Sequence, residues 1–277
     1  MAIFWEKVPT SFMSLKANTI QPGAAKETFQ TDVLSVRLFH SASELAQDAA
    51  LFVRNYLQDI LTQQQTASVV LATGNSQIQF LDALIALGGV DWSRITLFHL
   101  DEYLGIDADH PASFRRYLRE RVEYRVNPYN FHYLEGDTLE PLAECDRYTQ
   151  LLLAQPIDLC CLGLGKNGHL AFNEPSVADF NDPERVKLVK LDKETRLAQV
   201  DGGHFSNLEA VPQYAFTLTI PMICAAKKIL CLAPAKHKAL AVKEMLLGAI
   251  STSCPASILR TQAQATLFLD ADSASQL

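Results

Sequence analysis

Short apolar segments alternate with helix-like segments along most of the chain, and this alternation constrains the fold more than any other feature. Such segments are apolar on both faces, as strands are in a sheet that is covered on both sides. Together with the helix-like segments between them they predict an α/β class fold, with a mostly parallel sheet and helices on both faces. The predicted strands are 68–72, 95–100, 159–164, 214–220, 228–233 and 265–270.

The predicted helices belong to a single domain. Apolar residues recur every three or four positions from Leu45 to Leu61, which predicts an amphipathic helix. Nothing rich in Gly, Ser and Pro divides the chain, so we predict one domain over residues 33–277 and an N-terminal extension over residues 1–32. Further helical patterns cover 81–87, 113–122, 139–153 and 236–247.

Charge and apolar content limit the kinds of partner. The formal net charge of the 277 residues is −7 and no basic block stands out, which argues against nucleic acid and anionic membranes. The chain has no apolar run near the ~20 residues that span a bilayer, and the pattern of residues 1–20 leads us to expect no secretory leader. Six cysteines without a C-x-x-C pair are typical of buried thiols in a reducing compartment. We therefore expect a cytoplasmic protein, and a homo-oligomer is compatible with the sequence.

Polar clusters follow four of the predicted strands. Ligands of open α/β sheets bind beyond the carboxyl ends of the strands, so these clusters predict a binding site at that edge. The clusters are "TGNS" (Thr73–Ser76), "DEY" (Asp101–Tyr103), "GKNGH" (Gly165–His169) and "PAKHK" (Pro234–Lys238).

Two of these clusters have the chemistry of an anion site. Thr73, Gly74 and Ser76 would place N–H groups and hydroxyls at a helix N-terminus, which attracts an anion such as phosphate. A plain turn in which Ser76 is the N-cap is the open alternative. Lys236 and Lys238 lie in the first turn of the helix predicted over 236–247, where a cation is unfavourable with the helix dipole unless an anion binds there. A solvated first turn would explain these lysines equally well.

The other two clusters carry acid–base groups. Asp101 and Glu102 are neighbours in an extended segment, so they point to opposite sides and only one of them would face the cleft. His169 is a proton carrier near neutral pH, and Glu174 could orient it. Asn167 can form hydrogen bonds but cannot act as a base. A surface histidine is the alternative interpretation of His169.

Neither a metal nor a redox cofactor is predicted. A metal site needs several ligands, and no second histidine lies at ligand spacing from His169. "GLGKNG" (163–168) fits G-x-G-x-x-G, but it continues into "HLAFNEP" rather than into a clear helix. We therefore do not interpret it as a dinucleotide site.

These residues together resemble the glucosamine-6-phosphate deaminase family, which is related to the 6-phosphogluconolactonases. The resemblance implies a Rossmann-like single α/β domain and the conversion of glucosamine 6-phosphate and water to fructose 6-phosphate and ammonia. The matching stretches occur in the family's order between about residue 35 and about residue 270. They are "LATGNS", "FHLDEYLG", "LGLGKNGHLAFNEP", "TRLA", "KHKALAV" and "CPASIL".

The resemblance also implies catalytic roles. His169 matches the family's ring-opening base, and Glu174 and Asn167 match residues that assist it. Asp101 matches the base that moves the proton from C2 of the sugar. Some members carry Asp at the position of Asn167. The Asn side chain can orient His169 but cannot share its proton.

The phosphate-binding residues follow from the same resemblance, with one departure. Thr73, Gly74 and Ser76 match the sugar-phosphate loop, and Lys238 matches a phosphate-binding lysine. Many deaminases have an arginine in a lid over the phosphate where this chain has Asp201, whose negative charge would repel the phosphate. Either the lid is arranged differently or the substrate differs. We predict no allosteric site.

The presence of Asp201 in place of the lid arginine leaves three other functions open. One is a deaminase/isomerase for a related sugar phosphate such as galactosamine 6-phosphate, and another is a 6-phosphogluconolactonase. A non-catalytic sugar-phosphate sensor is the third. Asp101 argues against the lactonase, since lactone hydrolysis needs no proton transfer at C2. Asp101, His169 and Glu174 together argue against the sensor, which needs only the phosphate contacts.

Overall fold

A computed structural model of the chain describes residues 25–277, which contain eleven strands in two sheets. In chain order the strands are β1 (Glu27–Thr31), β2 (Leu34–Phe39), β3 (Ala67–Leu71), β4 (Ile95–His99), β5 (Asp101–Tyr103), β6 (Asn130–Phe131), β7 (Leu159–Gly163), β8 (Val186–Lys190), β9 (Tyr214–Leu218), β10 (Ile229–Ala233) and β11 (Ala265–Asp270).

The larger sheet has eight strands in the order β1-β2-β11-β10-β7-β3-β4-β6. Only β1 and β2 are antiparallel, and every other neighbouring pair is parallel. The smaller sheet is antiparallel with the order β5-β9-β8. The strands β10, β7, β3 and β4 are consecutive and parallel, so their carboxyl ends form one continuous edge.

Eight α-helical segments accompany the sheets. A π-helical segment, Arg119–Glu123, joins α3 to α4. The helices are α1 (Ala42–Gln63), α2 (Asn75–Leu87), α3 (Phe114–Leu118), α4 (Tyr124–Val126), α5 (Pro141–Leu153), α6 (Lys193–Asp201), α7 (Ile220–Cys224) and α8 (Ala239–Leu247).

The larger sheet is covered on both faces because its central strands are apolar on both faces. In β3, Val69 belongs to the core on the side of α1 and α2, whereas Val70 belongs to the core on the side of α5 and α8. In β7, Cys161 belongs to the core on the side of α1 and α2, and Cys160 belongs to the core on the side of α5 and α8. Alternate side chains of a strand point to opposite faces, so each strand contributes to both cores. The predicted α/β fold with a mostly parallel sheet is confirmed.

The assignment of residues 214–220 to that sheet was wrong. This segment forms β9, which pairs antiparallel with β5 and β8. Phe216 packs into the core under the larger sheet, and Ala215 packs into a third apolar cluster on the other side. Burial on both faces gave β9 the apolar composition that is typical of a parallel strand.

The predicted N-terminal extension lies only partly within the described residues. Its last part contains β1, whose pairing with β2 places residues 27–31 at the edge of the larger sheet. Residues 1–24 lie outside the described residues, and the division at residue 33 stays a prediction. None of the helices between residues 25 and 277 combines the length and the apolar content that crossing a bilayer takes.

Candidate active site

The phosphate-loop candidate joins β3 to α2 at the common carboxyl edge. Gly74 is the N-cap of α2, with a φ of 95°, and it offers no side chain to the first N–H groups of the helix. The N–H of Gln77 donates to the carbonyl of Gly74 at 3.0 Å, whereas those of Asn75 and Ser76 have no partner between residues 25 and 277 and can bind an anion. The hydroxyl of Ser76 instead accepts a hydrogen bond from Gln77 Nε2 at 3.1 Å. The interpretation of Ser76 as an N-cap was wrong, because the helix begins two residues earlier than that interpretation required.

Glu102 is the structural member of the adjacent carboxylate pair. It is fully buried and accepts hydrogen bonds from the hydroxyl of Ser113 at 2.8 Å and from the backbone N–H groups of Phe114 and Arg115 at 3.1 and 2.9 Å. A fourth comes from the N–H of Tyr103 at 3.0 Å. Burial raises the pKa of Glu102, and these hydrogen bonds oppose that rise. The carboxylate thus caps the start of α3.

Asp101 lies on the opposite side of β5, as the alternation of an extended segment predicts. It is 8% exposed, and its side chain accepts no hydrogen bond from residues 25–277. Burial, and then the nearby charge of Glu102, raises the pKa of Asp101 to about 8. A carboxyl of this kind can take up and release a proton near neutral pH.

The histidine loop after β7 forms a compact hydrogen-bonded network. Nδ1 of His169 lies 2.7 Å from Oδ1 of Asn167 and 3.0 Å from Oε1 of Glu174. Both of these atoms are acceptors, so the ring carries its proton on Nδ1 and leaves Nε2 free to act as a base. Nδ2 of Asn167 donates to Oε2 of Glu174 at 2.5 Å.

Glu174 is held as a carboxylate. It is fully buried, which raises its pKa, but hydrogen bonds from His169, Asn167 and Thr195 outweigh that effect and lower the pKa below its ordinary value. The charge of Glu174 in turn stabilises the imidazolium that forms when His169 takes a second proton. The site therefore contains two buried carboxyl groups whose pKa values are shifted in opposite directions.

Two glycines let the histidine loop close on itself. A Cβ at Gly165 would lie 2.2 Å from the ring of His169. Gly168 has a φ of 80°, and a Cβ there would lie 2.5 Å from Sγ of Cys254. No other residue type fits at either position without moving the loop.

The smaller sheet connects Asp101 to the histidine loop. Asp101 pairs with Thr217 of β9, and the Thr217 hydroxyl accepts a hydrogen bond from the N–H of Phe172 at 3.1 Å. Asn173 donates to the backbone carbonyl of Leu218 at 2.8 Å. One strand thus holds both the raised-pKa carboxyl and the loop that carries the base.

Lys238 completes the predicted site at the end of β10. It lies in a 3-10 helix, Lys236–Lys238, just before α8. Burial, and then the charge of Lys166, lowers the pKa of Lys238 to about 8. The predicted site residues thus lie at the ends of β3, β4, β7 and β10, and Asn167, His169 and Glu174 are in direct contact.

Thr195 is a site residue that sequence reasoning missed. It lies in α6, and its hydroxyl donates to Oε1 of Glu174 at 2.5 Å. The stretch "TRLA" entered the sequence analysis only as a match to the family, with no role for Thr195. Thr195 lies 21 positions after Glu174, so no local spacing could have indicated the contact.

The sequence matches one protein family over most of its length. The family model described as glucosamine-6-phosphate isomerases/6-phosphogluconolactonase matches residues 40–268. A glucosamine-6-phosphate deaminase of Lactobacillus delbrueckii subsp. bulgaricus is 35% identical over 208 residues, which are 75% of this chain and 86% of that protein. A protein of the same name from Shewanella loihica is 33% identical over 251 residues, covering 88% and 90%.

Solved structures agree with this match. A structure described as a monomeric glucosamine-6-phosphate deaminase superposes with a TM-score of 0.81 at 32% identity, covering 87% of this chain and 99% of that chain. A 6-phosphogluconolactonase from Thermotoga maritima has a TM-score of 0.68 at 21% identity, covering 85% and 98%. The second protein shares the fold.

Replacing Glu102 by Gln tests its structural role. The amide would present a donor to N–H groups that need an acceptor, in a fully buried position. We expect the free energy of unfolding to fall by roughly 3 kcal/mol, measured by urea denaturation. Glu120→Gln is the control, because the Glu120 side chain is 55% exposed and pairs with Arg116, one turn earlier in α3. A similar loss in both variants would contradict the role of Glu102.

Replacing Thr195 by Val tests its contact with Glu174. Valine keeps the shape but donates no hydrogen bond, so we expect the pKa of Glu174 to rise, measured by NMR titration of ¹³C-labelled glutamate. A lowered carboxyl pKa stabilises the protein above the unfolded value and loses that contribution as the pH falls. The free energy of unfolding of Thr195→Val should therefore be about 1 kcal/mol below that of wild type at pH 7, and the difference should be smaller in acid. Thr195→Ser should behave as wild type; a pKa that is equal in all three proteins would refute the contact.

Proposed function

The chain belongs to the glucosamine-6-phosphate isomerase/6-phosphogluconolactonase family, and we propose that it is a glucosamine-6-phosphate deaminase. Its reaction converts glucosamine 6-phosphate and water to fructose 6-phosphate and ammonia. The observation that carries this proposal is the presence of two separate acid–base groups at one sheet edge, Asp101 and His169. Lactone hydrolysis needs no base for a carbon-bound proton, whereas isomerisation and deamination do.

His169 opens the sugar ring. Nε2 takes the proton of the C1 hydroxyl and delivers a proton to the ring oxygen as the C1–O5 bond breaks, which gives the open-chain aldehyde. The transient imidazolium is stabilised by Glu174, which contacts Nδ1 at 3.0 Å. Asn167 holds the ring in the orientation that leaves Nε2 free.

Asp101 moves the proton from C2 to C1. Its carboxylate takes the C2 proton while the C1 oxygen gains the proton that the substrate's ammonium group releases, which forms an enediol-like intermediate with the amine on C2. Asp101 then returns the proton to C1, and C2 becomes an imine. Water adds to this imine, ammonia leaves, and fructose 6-phosphate remains. A pKa near 8 suits both halves of this transfer, because the group must accept and donate at similar pH.

The phosphate binds at the start of α2 and at the end of β10. Free N–H groups follow Gly74, and Thr73 and Ser76 add hydroxyls. Lys238 supplies a positive charge from the neighbouring loop. The pKa of Lys238 is lowered by burial and then by the charge of Lys166, and a phosphate dianion at this position would compensate that charge.

A cytoplasmic location is part of the proposal. All six cysteines lie within the described residues and none forms a disulfide, as expected in a reducing compartment. A homo-oligomer remains a prediction, and one solved relative is described as monomeric.

The direct test is the release of ammonia by the purified protein. Glucosamine 6-phosphate should yield ammonia and fructose 6-phosphate in equal amounts, and 6-phosphogluconolactone should not be hydrolysed above its spontaneous rate. Galactosamine 6-phosphate, assayed in parallel, defines the specificity at C4. Turnover of the lactone alone would contradict the proposal, and binding of all three without turnover would indicate a sensor.

Replacing Asp101 by Asn should abolish turnover and spare binding. The amide cannot take the C2 proton, so we expect kcat to fall by at least about 10³-fold, while the Kd for glucosamine 6-phosphate stays within about threefold of wild type. Assays of ammonia release and calorimetric titration measure the two quantities. Loss of binding in parallel with turnover would contradict the role of Asp101 as the proton shuttle.

The same variant should be more stable than the wild type at alkaline pH. The pKa of Asp101 rises from 3.8 to about 8 on folding, so its contribution to stability is lost as the pH rises between these values. Asn cannot ionise and escapes this loss. In urea denaturation, we expect the free energy of unfolding of Asp101→Asn to exceed that of wild type by on the order of 1–3 kcal/mol at pH 8. The difference should be smaller at pH 5. A pH-independent difference would show that folding does not perturb Asp101.

A further inference from the structure

In α6 the position of the family's lid arginine carries Asp201, and Arg196 is engaged with the backbone of the segment that follows the helix. Asp201 is the exposed last residue of α6. The guanidinium of Arg196 donates to the backbone carbonyls of Leu208 and Val211 at 2.7 and 2.8 Å, so it holds the segment after the helix. A substrate phosphate therefore needs a second positive charge from elsewhere.

Two lysines lie together at the carboxyl edge of the larger sheet. The strands β7 and β10 are parallel neighbours, with Gly163 paired to Leu232. Lys166 follows the end of β7 by three residues and Lys238 follows the end of β10 by five. Neither lysine has a salt-bridge partner between residues 25 and 277. The cluster therefore carries two unpaired positive charges.

No carboxylate of the described residues forms a salt bridge with this lysine pair. The positive charge of Lys166 helps to lower the pKa of both Lys238 and His237, after the larger effect of burial. The nearby carboxylate of Asp270 is already occupied by the N–H groups of Ala235 and Ser273. Like charges held together without a counter-ion are unfavourable, and a bound anion would relieve them.

We infer that Lys166 and Lys238 bind the substrate phosphate as a pair, with Lys166 supplying the charge that related deaminases carry on the lid. The identity of the phosphate compound rests on the proposed function. Substrate geometry supports the assignment: the ring oxygen that His169 protonates is bonded to C5, and the phosphate is on the adjacent C6. A cation three residues before His169 is therefore at the correct end of the sugar.

This arrangement changes what the lid has to do. When both cations come from the sheet edge, the phosphate needs no positive charge from α6. The exposed carboxylate of Asp201 then needs only to stay away from the phosphate. Substrate affinity should accordingly depend on Lys166 and hardly at all on the cations of α6.

Calorimetric titration with inorganic phosphate and with glucosamine 6-phosphate tests the pair. We expect Lys166→Gln to weaken both ligands by about tenfold or more, as loss of a charge-assisted hydrogen bond does, and to reduce the salt dependence of binding. Lys166→Arg should restore most of the affinity. Lys193→Gln is the matched control, because it removes an exposed lysine of α6 and should leave both affinities unchanged.

The inference is overturned if Lys166→Gln binds both ligands as wild type does, or if Lys193→Gln loses as much affinity as Lys166→Gln. It is also overturned if the wild-type protein does not bind phosphate. Thermal melting of each variant separates lost binding from lost folding. If wild type binds phosphate and Lys166→Gln does not, but no ammonia is released, the lysine pair stands and the proposed function fails.

Discussion

The burial of Asp101 beside Glu102 is the constraint on which the rest of the site depends. An extended strand sends the two carboxyl groups to opposite sides, and the larger and smaller sheets leave both almost without solvent. Glu102 is compensated by four hydrogen-bond donors, three of which lie at the start of α3. Asp101 has no such donors, so its pKa rises. The fold thus accepts a stability cost at Asp101 and gains a proton carrier that works near neutral pH.

The pKa of Glu174, the second carboxyl of the site, is shifted in the opposite direction. It is equally buried, but three donors hold it as an anion against His169. Pairs of carboxyl groups with opposite pKa shifts are a recurrent sign of divided acid–base roles. Here the division suits a reaction with two kinds of proton transfer, one at the ring oxygen and one at carbon. Thr217 of β9 connects Asp101 to the loop that carries His169 and Glu174. It pairs with Asp101, and its hydroxyl accepts a hydrogen bond from that loop.

Much of this arrangement could be predicted from the sequence because it depends on short-range rules. Apolar segments predicted five of the eight strands of the larger sheet, and polar residues at the ends of those strands predicted the candidate site; β1, β2 and β6 were missed. The alternation of side chains along an extended segment predicted that Asp101 and Glu102 point to opposite sides of β5. The errors came from long-range contacts: β9 is buried between two clusters, Thr195 reaches Glu174 from another helix, and the lysine pair forms only because β7 and β10 are neighbours. No local pattern encodes these contacts.

The most direct test of the central claim is infrared difference spectroscopy of the protonated carboxyl group. The spectrum of the Asp101→Asn variant is subtracted from that of wild type at a series of pH values from 5 to 9. We expect a protonated-carboxyl C=O band in wild type at pH 6 that belongs to Asp101 and disappears with a midpoint near pH 8. A difference spectrum without that band at pH 6, or a midpoint below pH 5, would show that Asp101 is an ordinary carboxylate.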